Sequence, residues 1–220
     1  NTFAYEEFPG SGILKKEKGL IGRMKISIEV ENKLLVYKDM LLEANKKTNL
    51  IGVRTIKNVW ERHICDCAQA LNYFPKNKKY TSFVDIGSGA GLPGIVVKIL
   101  REEITAHLVE SNYKKYSFIA RANSQLFLGM KIYQERFENI KPSQIGKNVI
   151  LARALLPLKK LLNLTFDHFK VGSIGIFHKG VNWEKGIKEA QTLWKFDFDA
   201  HESLTNNKSR IIVVNSVEKK

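Results

Sequence analysis

The stretch that most restricts the fold of this chain is the glycine-rich segment at residues 82–94, which reads SFVDIGSGAGLPG. Its apolar run at residues 83–86 predicts a buried strand that ends at a cluster of glycines. After the glycines the apolar spacing becomes helical, and Pro93 suits a first helical turn because its missing N–H would lack a partner there anyway. The segment therefore predicts a strand, a tight turn and a helix N-terminus, where the backbone can approach a ligand closely.

The glycine spacing and the acid before it indicate which class of ligand this turn would hold. The dinucleotide fingerprint is G-x-G-x-x-G, whereas Gly87, Gly89 and Gly91 form G-x-G-x-G. Leu92 stands where the third dinucleotide glycine would be. Asp85 would repel a pyrophosphate but suits a cationic or amine-bearing ligand. The pattern resembles the first motif of the S-adenosylmethionine-dependent methyltransferases, whose ligand carries a sulfonium and an amino group; a glycine turn that binds nothing is the alternative.

Composition bears on the partner and the compartment. The 220 residues carry a formal net charge of +14, with a pI of about 9.7. Such an excess favours a polyanionic partner, nucleic acid first and a membrane surface second; a lysine-rich proteome is the alternative. The two cysteines, Cys65 and Cys67, are too few for a disulfide framework and indicate a reducing compartment. No apolar run is long enough to cross a bilayer.

From residue 80 onward the pattern alternates between strands and helices. Predicted strands lie at 83–86, 105–110, 130–134, 148–152, 173–178, 196–198 and 211–214, and predicted helices at 92–102, 113–127 and 156–168. Successive β–α units predict an α/β fold with a mainly parallel, seven-stranded sheet and helices on both faces. The last two strands are joined by a polar segment without helical spacing, which predicts an antiparallel hairpin at one edge.

The residues before this alternation predict a separate helical segment. Helical spacing at 27–47 and 57–71 indicates an N-terminal cap, preceded by a basic stretch that is either an amphipathic helix or an irregular arm. We therefore divide the chain into a basic helical segment, 1–75, and a sheet domain, 76–220. His63, Cys65 and Cys67 do not predict a metal site, because residues two apart on a helix do not face each other.

In an open parallel sheet, ligands bind beyond the C-terminal ends of the strands. Asp85 and Gly87 stand at the end of the first predicted strand, and Glu110 ends the second, where its carboxylate would accept hydrogen bonds from both hydroxyls of a ribose. After the third strand, Phe137 would provide an apolar slot for an adenine, and Glu138 an acceptor for the adenine amine. For each acid, helix capping or a solvated carboxylate is the alternative.

The absence of other motifs bears on the group that would be methylated. No Pro-Pro pair is present, although methyltransferases acting on amines often carry an Asn/Asp-Pro-Pro-Tyr-type loop. Neither cysteine lies in the sheet domain, as a nucleophile for ring-carbon methylation would. A ring nitrogen such as guanine N7 needs neither nucleophile nor proton acceptor, only positioning and charge stabilisation. Arginine donors suit guanine, whose N7 and O6 are acceptors. Other substrates stay open at this point.

Several segments together resemble the glucose-inhibited division protein B family of ribosomal RNA guanine-N7 methyltransferases. The matching residues are 49–54, 62–64 with 66, 85–94, 110–111 with 114–115, 136 with 138, 153–154, 179–180 and Arg210. The resemblance implies a Rossmann-like, class I S-adenosylmethionine-dependent methyltransferase fold, with residues 76–220 forming the cofactor-binding domain. It also implies a cytoplasmic enzyme that methylates a guanine of small-subunit (16S) ribosomal RNA, either free or in an assembling 30S particle. We expect a monomer with no metal and no membrane contact.

The resemblance also implies roles for individual residues. It places S-adenosylmethionine contacts on Gly87, Leu92, Phe137, Glu138 and Arg153, to which the strand-end argument adds Asp85, Gly89 and Glu110. We expect the RNA and the target base to contact Arg136, Arg153 and Arg210, with Lys114, Lys115 and Lys179 on phosphates. For each cation a structural ion pair or a solvated side chain is the alternative. Two other functions stay open, a methyltransferase with another substrate and a non-catalytic RNA-binding protein on the same fold.

Overall fold

The computed structural model describes residues 26–76 and 80–220, which are built around one seven-stranded sheet. The strand order is β3-β2-β1-β4-β5-β7-β6. The strands are β1 (Ser82–Ile86), β2 (Thr105–Val109), β3 (Lys131–Tyr133), β4 (Val149–Arg153), β5 (Ile174–Lys179), β6 (Trp194–Ser203) and β7 (Asn206–Lys219). Strands β1 to β5 are parallel, whereas β7 runs antiparallel to both β5 and β6. The predicted mainly parallel sheet with an antiparallel hairpin at one edge is confirmed.

The order of the strands determines where a ligand can bind. Strand β1 lies between β2 and β4, and the chain continues to one side of β1 through β2 and β3, then returns to the other side with β4. Such a reversal leaves a crevice beyond the C-terminal ends of the strands, because the connections on its two sides run in opposite directions. The glycine turn that follows β1 opens into this crevice.

The helices connect the strands as the alternating pattern predicts, with two additions. They are α1 (Ile28–Asn45), α2 (Asp66–Ala68), α3 (Gly94–Leu100), α4 (Tyr113–Gln125), α5 (Pro142–Ile145), α6 (Leu158–Lys170) and α7 (Trp183–Ala190). Helices α5 and α7 are absent from the sequence prediction. Both are short, and α7 buries only Ile187 and Ala190 of its eight residues, too few to produce a clear helical period.

The N-terminal helical segment packs on the sheet domain. Helix α1 begins after Ser27, whose side chain accepts a hydrogen bond from Val30 N at 3.3 Å. Its buried residues include Leu34 and Leu41, which belong to the same apolar core as Phe83 of β1. The shared core explains how the segment is held in place, while the division of the chain at residue 75 stays a prediction. The basic stretch at residues 1–25 lies outside the described residues.

The predicted second helix, 57–71, is a helical run of changing pitch. It comprises a 3₁₀ turn (Val53–Asn58), a π-helical turn (Trp60–Cys65), α2 and a second 3₁₀ turn (Gln69–Tyr73). A π turn holds more residues than an α turn, and four of the six residues in this one are buried. The run places the side chains of His63 and Asp66 against Arg153 at the C-terminal end of β4. In the described ranges, no helix has the length and apolar character to cross a bilayer.

Tyr37 provides a test of how α1 is attached to the glycine turn. Its buried hydroxyl donates a hydrogen bond to the Ala90 carbonyl at 2.8 Å. We expect Tyr37→Phe to lower the free energy of unfolding by about 1 kcal/mol, since the carbonyl loses its partner inside the protein. Urea unfolding measures this change, with Tyr113→Phe as the matched control because Tyr113 is 67% exposed. Equal stability of the two variants would contradict the role given to this contact.

Candidate functional site

The glycine turn after β1 is closely packed on two sides and open at one position. Gly87, Gly89 and Gly91 have φ angles of 63°, 60° and 81°, which favour glycine. A Cβ at Gly87 would lie 2.4 Å from Leu155 Cδ1, and one at Gly91 would lie 2.3 Å from Ile95 Cδ1. At Gly89 the nearest atom is the Gly87 carbonyl oxygen, at 3.9 Å. Gly89 is therefore the position of the turn that a ligand can approach.

Asp85 lies beneath the turn rather than on its surface. Its side chain is fully buried, and Oδ2 accepts a hydrogen bond from Gly94 N at 2.9 Å, which fixes the start of α3. Oδ1 is buried without a partner among the described residues. Burial, with the nearby Glu110 carboxylate adding to it, raises the pKa of Asp85 to about 7. An unsatisfied buried oxygen at this position suits a ligand that brings its own donor or positive charge.

Glu110 joins the end of β2 to the glycine turn. One carboxylate oxygen accepts a hydrogen bond from Gly89 N at 2.8 Å, and the other accepts one from Asn112 N at 2.8 Å. Only 7% of Glu110 is exposed. Because each oxygen of a carboxylate has two lone pairs, both retain one that can accept a hydrogen bond from a ligand hydroxyl. The structure thus brings Glu110 and Gly89 together, as the strand-end argument expects.

The residues after β3 are divided between the core and the surface. Phe137 is buried and packs in the apolar core, with its ring 4.8 Å from that of His168. Arg136 and Glu138, on either side of it, are exposed. Sequence reasoning placed Phe137 and Glu138 on an adenine, and this role stays a prediction. In this structure the Phe137 ring packs in the core beneath the loop, whereas the Glu138 carboxylate is exposed and accessible to a ligand.

Arg153, at the end of β4, is bound to the N-terminal helical segment. Its Nε donates a hydrogen bond to Asp66 Oδ2 at 2.9 Å, within an ion pair whose side chains are only 19% and 17% exposed. Its Nη2 donates to the Arg62 carbonyl at 2.8 Å and contacts His63 Nδ1 at 3.0 Å. These contacts hold the largely buried guanidinium in one orientation at the end of β4.

The partners of Asp66 extend this contact to the β6–β7 hairpin. Thr205 Oγ1 donates to Asp66 Oδ1 at 2.7 Å, and Gln69 Nε2 donates to the same oxygen at 2.8 Å. Gln69 also binds Ser203 at 3.1 Å, and its side-chain oxygen accepts from Leu204 N at 2.9 Å. Sequence reasoning did not assign a role to Asp66. The signal that points to it is Arg153 itself, because an arginine ending a buried strand needs a carboxylate partner.

His63 is held neutral by its neighbours. Nδ1 accepts from the Arg153 guanidinium, so Nε2 carries the proton and donates to Thr55 Oγ1 at 2.7 Å, which in turn donates to the Gly52 carbonyl at 2.7 Å. Burial, and then the charge of Arg153, lowers the pKa of His63 to about 4. The side chain therefore acts as a neutral acceptor that orients the guanidinium.

The remaining predicted cations differ in accessibility. Lys179 Nζ donates to the Leu156 carbonyl at 2.7 Å, so this ammonium is directed at the protein rather than at solvent. Burial lowers the pKa of Lys179 to about 8. Arg210 donates from Nη1 to two backbone carbonyls and lies 5.3 Å from the centre of the Trp183 ring. Lys114 is exposed and Lys115 is half-buried, both on the first turn of α4. Their RNA contacts stay predictions.

Comparison with known proteins gives one consistent result. The chain matches, over residues 30–213, the model of a family described as rRNA small subunit methyltransferase G. The ribosomal RNA small subunit methyltransferase G of Ruegeria pomeroyi is 31% identical over 198 residues, 88% of this chain and 95% of that protein. The protein of the same name from Bartonella tribocorum is 35% identical over 211 residues, 94% of this chain and 98% of that protein.

Solved structures share the fold at low sequence identity. The structure of a candidate class I S-adenosylmethionine-dependent methyltransferase from Listeria monocytogenes is 14% identical to this chain and superposes with a TM-score of 0.52. The match covers 86% of this chain and 71% of that one. Identity this low carries the fold alone, and that fold is the predicted class I methyltransferase fold.

The protonation of His63 yields a test of this arrangement. Because its pKa is lower in the folded protein than in the unfolded chain, its contribution to stability is full above about pH 6.5 and is lost as the pH falls to about 4. We expect the parent protein to lose more stability across this range than His63→Gln, which has no imidazole to protonate. Urea unfolding at several pH values measures both proteins, and the other histidines contribute equally to the two. Parallel curves would show that His63 is not held neutral.

Proposed function

The chain belongs to the rRNA small subunit methyltransferase G family, and on that premise we propose that it transfers a methyl group from S-adenosylmethionine to N7 of a guanine in small-subunit ribosomal RNA. The observation that carries the proposal is the family match over residues 30–213, which spans both the glycine turn and Arg153. The position of these residues, at neighbouring strand ends of one parallel sheet, agrees with it.

The residues around the glycine turn fit the cofactor. Gly89 leaves open the space that a side chain would fill, and Glu110 beside it retains free lone pairs for the ribose hydroxyls. Asp85 adds a buried oxygen without a partner, which suits the amino group of the ligand. When bound, S-adenosylmethionine supplies an activated methyl group on a sulfonium. Leu92, Phe137, Glu138 and Arg153 remain the other proposed contacts.

Guanine N7 as the acceptor agrees with the chemistry of the site. N7 carries a free lone pair, so its methylation needs no general base, and no group in this proposal has to remove a proton. The tasks of the protein are to orient the base and to exclude water. We assign the orientation to arginine donors on O6, with Arg153 held in place by Asp66 and His63, and with Arg136 and Arg210 as further contacts to base or backbone.

The charge of the protein agrees with an RNA substrate. A net charge of +14 favours binding to the phosphates of RNA. Lys114 and Lys115 would contact phosphates from the start of α4, whereas Lys179 is directed inward and would have to turn outward to do so. We further propose that the protein acts as a cytoplasmic monomer, without a metal, on ribosomal RNA that is free or in an assembling 30S particle. In the described ranges, no group of three metal-ligating side chains is found.

Gly89 gives a matched test of cofactor binding. Gly89 and Gly129 have nearly equal φ angles, 60° and 63°, and an added Cβ would clash with no protein atom at either. Gly89→Ala and Gly129→Ala therefore incur a similar backbone penalty of about 1–2 kcal/mol. We expect only Gly89→Ala to weaken S-adenosylmethionine binding in calorimetry, by at least about tenfold, because its methyl group occupies the ligand space. Equal affinities would place the cofactor elsewhere.

The proposed reaction is tested by transfer of a labelled methyl group onto ribosomal RNA from cells that lack this activity. We expect incorporation into the small-subunit RNA, with the label mapped to N7 of one guanine. Label in protein, or at another atom of the RNA, would contradict the proposed acceptor. Binding of RNA and cofactor without transfer would instead support a non-catalytic RNA-binding protein on this fold.

A further inference from the structure

An open groove lies at the C-terminal ends of strands β1 to β5, where the candidate site also lies. It has a volume of about 680 Å³ and is lined by Arg62 on one side and residues 202–207 on the other. Strand β7 runs antiparallel to β5, with Arg210 opposite Lys179, so the β6–β7 turn lies at the end of the sheet where β1 to β5 finish. We call this feature the hairpin groove. Its volume falls within the range of small-molecule sites.

Both walls of the hairpin groove are bonded to the network around Arg153. On one side, the Arg62 carbonyl accepts a hydrogen bond from Arg153 Nη2 at 2.8 Å. On the other side, Thr205 donates to Asp66, which pairs with Arg153 through its second oxygen. A group bound in the groove would therefore be close to the guanidinium to which we assign orientation of the target base.

The groove contains a carboxylate that forms no ion pair with any of the described residues. Glu202 is exposed, and the described residues form no ion pair with it. The cation opposite it in the β6–β7 ladder is Arg210. Nη1 of that guanidinium donates to the carbonyls of Asn207 and Ser209, and the group lies against Trp183 rather than in an ion pair with Glu202. Within the part of the chain that the structure describes, this exposed acid is therefore available to accept hydrogen bonds from a ligand in the groove.

Guanine is the base whose recognition edge matches a carboxylate. Its N1–H and N2–H groups are two adjacent donors, and both oxygens of a carboxylate accept hydrogen bonds. Adenine and cytosine present an acceptor at the corresponding ring nitrogen. Leu204, which is 59% exposed at the groove, gives the face of a base an apolar surface to lie on.

We propose that the hairpin groove binds the guanine to be methylated, with the Glu202 carboxylate accepting hydrogen bonds from its N1–H and N2–H. This inference rests on the proposed function and adds to it the element that selects the base. N7 lies on the other side of the purine from N1 and N2. A base held by Glu202 at that edge keeps N7 free for the methyl group and O6 free for an arginine donor.

Binding of mononucleotides tests the groove without requiring activity. Guanosine 5′-monophosphate is titrated into the isotope-labelled protein and followed by NMR. We expect the protein signals of Leu204 and Asn207 to shift, and we expect adenosine 5′-monophosphate to bind more weakly. Glu202→Gln should reduce the affinity for the guanine nucleotide by about tenfold and remove the preference. Glu103→Gln is the control for net charge alone, because it makes the same charge change before β2, at the opposite ends of the strands from the groove.

The outcomes separate this inference from the proposed function. No shift in residues 202–207, or an unchanged guanine preference in Glu202→Gln, overturns the groove assignment. Methyl transfer supplies the second readout: Glu202→Gln should lower kcat/KM for ribosomal RNA by about tenfold or more while the affinity for S-adenosylmethionine is unchanged. Full transfer by that variant overturns the inference and leaves the proposed function intact. Guanine binding without any transfer by the parent protein supports the groove and contradicts the proposed function.

Discussion

The ion pair between Arg153 and Asp66 connects the parts of the molecule on which the candidate site depends. Arg153 ends a central strand of the sheet, and Asp66 lies on the N-terminal helical run. Removing both charges from water is costly, and their attraction compensates only when the other hydrogen-bonding groups are also satisfied. Here they are, through the Arg62 carbonyl, His63, Gln69 and Thr205. The helical run cannot move away without leaving a buried charge unpaired, and this holds the guanidinium in one orientation.

Three segments that are far apart in the chain meet in this network at the C-terminal ends of the strands. The helical run provides the carboxylate, β4 the guanidinium, and the β6–β7 hairpin the hydroxyl of Thr205. The changing pitch of the run contributes directly, because its π turn places His63 and the Arg62 carbonyl against Arg153. A candidate site with parts from all three elements depends on their packing and not on one motif.

Two carboxylates lie where the cofactor is proposed to bind. The carboxylates of Asp85 and Glu110 lie at the glycine turn, where the cofactor with its sulfonium and amino group is proposed to bind. The residues proposed to contact RNA are arginines and lysines. Glu202 is the exception, and its position in the hairpin groove is the reason we assign it to the base.

The sequence by itself determined the strand, turn and helix at residues 82–94, the alternation that makes the sheet parallel, and which side chains stand at the strand ends. These features depend on local chemistry, namely glycine conformations, proline geometry and apolar periods of two or 3.6 residues. Only the tertiary structure decided that Arg153 binds Asp66, that Phe137 enters the core and that Lys179 turns inward. Helix α7 and the hairpin groove also required it. Each of these depends on contacts between residues far apart in the chain, which no local pattern specifies.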